Sequence, residues 1–82
     1  MNWILTIEAK DMETLVIPGV TDLQAGAIAW VVWPKTLGSF IVTATRLTNA
    51  QFDAIAAIVR LGTNDTYLRI GMDVTITLEV GD

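Results

Sequence analysis

The stretch Thr66-Tyr67-Leu68-Arg69-Ile70-Gly71-Met72-Asp73-Val74-Thr75-Ile76-Thr77-Leu78-Glu79-Val80 carries one alternation without a slip. Leu68, Ile70, Met72, Val74, Ile76, Leu78 and Val80 are apolar, and Arg69, Asp73, Thr75, Thr77 and Glu79 between them are polar. Side chains on a strand point alternately to its two faces, so the pattern predicts a strand with one dry and one wet face. At about 3.3 Å per residue a straight strand of that length overruns a small domain. A bend or break is therefore expected at Gly71, where no Cβ resists a bulge. Parity is kept across the glycine, so both halves are expected to face one core.

Immediately upstream the sequence signals a helix. Thr48 followed by Gln51 forms a capping box, and Leu47 before the cap with Phe52 after it forms a hydrophobic staple. Phe52, Ile55, Ala56 and Val59 fall on one stripe with Ile58 at its flank, and Gly62 suits the residue that ends the helix. The expected span is about residues 48–61, followed by a turn at Thr63, Asn64 and Asp65.

Further out, Ser39 to Leu47 alternates as a strand, joined by a Lys35–Gly38 loop to Ala27–Trp33, which is apolar on both parities. Such a run predicts a strand covered on both faces and ended by Pro34. Near the N-terminus Trp3, Leu5, Ile7 and Ala9 alternate against Asn2, Thr6 and Glu8, and Thr14–Ile17 is expected to pair back as a hairpin. Pro18-Gly19 is expected to stop that strand, and residues 20–26 give no clear signal beyond a loop or lead-in. No internal repeat or low-complexity segment stands out. The expectation is one α+β domain spanning residues 1–82: a mostly antiparallel sheet of five to six strands with one helix on one face, in the order β-β-β-β-α-β(-β).

Composition bounds function. The chain of 82 residues is 52% hydrophobic and 17% charged, with a mean hydropathy of +0.53, whereas about 25% charged is usual. A domain this short buries only about 60% of its unfolded surface. The surplus of apolar side chains therefore points to a protein interface, against the plainer alternative that Ala, Val and Thr-rich strands raise hydropathy by themselves. Lys10, Lys35, Arg46, Arg60 and Arg69 are scattered singly in a chain of net charge −4, a pattern without the basic track that nucleic acid requires. The acids are too dispersed to mimic nucleic acid. The longest apolar run falls far short of the ~20 residues of a membrane span. The N-terminus shows no basic and cleavable leader, so the protein is expected to act without secretion, in the cytoplasm or a virion.

With neither His nor Cys in the sequence, Ser-His or Cys-His nucleophile systems and imidazole or thiolate metal sites are not available. Carboxylate chemistry is left: Glu8 and Glu79 approach each other if the first and last strands are neighbours, although solvated charges on an outer face explain both more simply. Asn64 and Asp65 lack the spaced oxygens of a calcium loop, and the glycines show no nucleotide-binding spacing. No catalytic residue, cofactor or metal is expected. The tryptophans decide more. Trp30 and Trp33 differ in parity, so one is expected in the core while the other, Trp33 with Val31 and Ala29 beside it, anchors a partner. Trp3 is the fourth candidate interface residue.

A short, acidic chain free of Cys and His and rich in Thr, Val and Ala strands resembles small virion components of tailed bacteriophages. The resemblance implies a head-decoration or tail subunit and assigns no residue a role. The expected function is thus a non-enzymatic assembly subunit, associating with itself as a homo-oligomer or with a larger protein lattice. The alternative is a small monomeric inhibitor or adaptor.

Overall fold

The computed structural model describes residues 2–10, 12–29, 39–44, 46–60 and 68–81, with the stretch 39–44 described by its backbone. They form β1 (Asn2–Glu8), β2 (Leu15–Thr21), α1 (Asp22–Ala29), β3 (Ser39–Ala44), α2 (Asn49–Val59) and β4 (Val74–Val80). The strands make one sheet in the order β2-β1-β4-β3, antiparallel at every junction. The α+β class and antiparallel sheet agree with expectation, but the inventory does not. Among the described residues there are four strands and two helices, where five to six strands and one helix were expected.

The centre of the sheet follows from alternation. β1 pairs with β4 in a register that sets Leu5 opposite Leu78 and Ile7 opposite Ile76, so the two dry faces coincide. Trp3, Leu5, Ile7, Val74, Ile76 and Leu78 are buried there together with Val20. The helices supply the other half of this core through Ala25, Ile28 and Ala29 of α1 and Ile55 of α2. Because all these residues form one cluster, both helices cover the same face of the sheet.

Three departures have local causes. First, β2 continues through Pro18-Gly19 instead of stopping. Its register with β1 slips between Trp3 and Leu5, so Ile4 faces two residues, Pro18 and Gly19. Proline is tolerated at a bulge on an edge strand, and Gly19 takes φ +73° without a Cβ to oppose it.

Second, Asp22–Ala29 is helical, so the expected strand Ala27–Trp33 begins inside a helix. Its remaining residues, including Val31 and Trp33, lie outside the described ones. The helix is started by Thr21 and Gln24: the Thr21 N–H donates to Gln24 Oε1 at 2.9 Å and the Gln24 N–H to Thr21 Oγ1 at 3.2 Å, a reciprocal capping box. Ala25, Ile28 and Ala29, spaced i, i+3, i+4, then face the core.

Third, within the described part of the long alternating segment the strand starts only at Val74. Residues 69–72 form a turn in which the Met72 N–H donates to the Arg69 carbonyl at 3.2 Å. Gly71 has φ +86°, as the third position of a type II turn demands. The Gly71 N–H donates to the Leu47 carbonyl at 2.7 Å and the Leu47 N–H to the Met72 carbonyl at 2.8 Å, the two-against-one pattern of a glycine bulge. The break expected at Gly71 is thus present. Leu68 remains buried, but Ile70 projects outward at 56% exposure, so the dry face does not extend through the turn.

α2 begins as the sequence indicates. Thr48 Oγ1 accepts from the Gln51 N–H at 3.1 Å, and Gln51 Oε1 accepts from the Thr48 N–H at 3.1 Å. Thr48→Ala is expected to lower stability by about 1 kcal/mol, the usual loss for a side-chain cap; chemical denaturation measures it, and an unchanged midpoint contradicts this capping role. The helix ends sooner than expected, at Val59, with Arg60 itself in the left-handed conformation at φ 53° and ψ 52°. Gly62 lies outside the described residues, and a non-glycine residue holds this strained position.

Candidate interaction surface

The residues expected to bind a partner are placed differently from one another. Ala29 sits at the last position of α1 and is buried in the core. Trp3 is 3% exposed. Its indole Nε1–H donates to Asp22 Oδ1 at 2.6 Å, which satisfies the one polar atom of a buried tryptophan. Asp22 also lies in the first turn of α1, where a carboxylate is favoured by the unpaired N–H groups and the helix dipole. The contact joins β1 to the start of α1 across the core edge. Val31 and Trp33 lie outside the described residues, as do Trp30, Asn64 and Asp65.

A second polar contact joins the helices. Gln51 is buried, and its Nε2 donates to the Ile28 carbonyl at 2.9 Å while its Oε1 caps α2. Ile28 lies in the last turn of α1, whose terminal carbonyls lack partners within their own helix. One side chain therefore closes the start of α2 and the end of α1. Among the described residues no buried side-chain nitrogen or oxygen is without a partner. The Trp3 contact ties the sheet to α1, and the Gln51 contact ties the two helices to each other.

The carboxylates do not converge. β1 and β4 are neighbours, but the antiparallel register puts Glu8 opposite Thr75 and Glu79 opposite Ile4. Four residues along a strand separate them by roughly 13 Å. Among the described residues no three His, Cys, Asp or Glu side chains group to hold a metal, and no helix is long and apolar enough to cross a membrane.

Among the described residues both helices lie on one face of the sheet, and the other face carries a different set of side chains. By the same registers Ile4, Thr6, Thr75 and Thr77 lie on it, partly buried by their neighbours, and Val16 stands opposite Thr6 at 57% exposure. Leu23 on the outer side of α1 is 84% exposed. Thr-rich alternation signals this face in the sequence, whereas the exposed Leu23 belongs to residues 20–26, which carry no clear periodic signal.

Compared with known protein families, curated proteins and solved structures, the chain matches none.

Proposed function

We propose that the protein is a non-enzymatic structural subunit that works by association, with copies of itself or on a larger protein lattice such as a bacteriophage head or tail. The observation that carries this reading is the apolar composition together with the large apolar side chains exposed among the described residues. Both helices pack on the face that holds Leu5, Ile7, Ile76 and Leu78, while among the described residues the opposite face holds half-buried Ile4, Thr6, Thr75 and Thr77 and exposed Val16. An antiparallel sheet tolerates one wet face, so this arrangement alone is compatible with a monomer. It is the composition, 52% hydrophobic and 17% charged, together with exposed Val16, Leu23 and Ile70, that favours a surface made to be covered. The virion setting is supported by the compositional resemblance alone.

Light scattering behind a sizing column tests the reading on the wild-type chain. The expected result is a species heavier than one 8.9 kDa chain at micromolar concentration. A monomer throughout contradicts self-association and favours the monomeric inhibitor or adaptor.

A further inference from the structure

We draw no further inference here: the strongest candidate, the uncharged strand β3 (Ser39–Ala44) at one edge of the sheet formed by the described residues, carries nothing because nothing in the structure shows what covers its outer side.

Discussion

Replacing Ile76 by alanine is expected to lower the free energy of unfolding by roughly 2 to 5 kcal/mol, the range for truncating a buried isoleucine. Ile76 is fully buried, opposite Ile7 on the central pair of strands and within the cluster that meets Ile28 and Ile55. The neighbouring helices and sheet have little freedom to close the void that is left. For a domain of this size the whole stability is of order 4 to 12 kcal/mol, so this one change removes a large share of it. Thr77→Ala, one residue along on the opposite face, is expected to change stability by no more than about 0.5 kcal/mol. Denaturant unfolding of both variants measures the pair, and a greater loss for Thr77→Ala contradicts the assignment of faces.

The second large effect is expected at Trp3. Trp3→Ala should cost about 3 to 5 kcal/mol, because it removes the largest side chain among the described core residues and leaves the Asp22 carboxylate without the indole N–H that now reaches it at 2.6 Å. Trp3→Phe separates the two contributions. It keeps most of the apolar volume and loses the hydrogen bond, so a smaller cost of about 1 to 2 kcal/mol is expected. The same variants discriminate the role of this tryptophan: a residue of the fold lowers the unfolding midpoint when truncated, and a partner anchor leaves it in place. An unchanged midpoint in Trp3→Ala contradicts the packing described above.

Legibility followed the physics of each element. β1 and β4 are half-buried antiparallel strands, the case in which period-two alternation reports the core face directly, and Leu5, Ile7, Ile76 and Leu78 lie where alternation puts them. The start of α2 was legible for a different reason, since a capping box is a local hydrogen-bond pattern that needs no tertiary context. α1 was not read, because Ala27–Trp33 is apolar on both parities and periodicity cannot separate a buried strand from a buried helix in so short a run. Its cap was nonetheless present in the sequence. Residues 21–29 and 48–56 share Thr, Gln and Ala-Ile-Ala at the same offsets, and both threonines start helices whose isoleucines, Ile28 and Ile55, meet in the core. That short repeat was the missed signal.

Two further differences arise where the backbone departs from its regular path. Alternation continues through Gly71, but the turn that Gly71 permits carries Ile70 out of the dry face, and parity does not register a turn. Pro18-Gly19 looks like a strand end, yet an edge strand accommodates both in a bulge. Of the candidate interface residues, Ala29 and Trp3 are held by the chain's own core. Among the described residues the exposed large apolar side chains are instead Val16, Leu23 and Ile70, and which apolar residues stay outside depends on how the helices lie on the sheet.

The central claim, that the folded chain is completed by association, is tested most directly by thermal unfolding of the wild type over a hundredfold range of protein concentration. Partners that bind only the folded state stabilise it by mass action. If the working form is a dimer, that range adds about 2.7 kcal/mol per dimer and raises the melting temperature with each step in concentration. A melting temperature that is constant over the whole range, with reversible unfolding, contradicts the account.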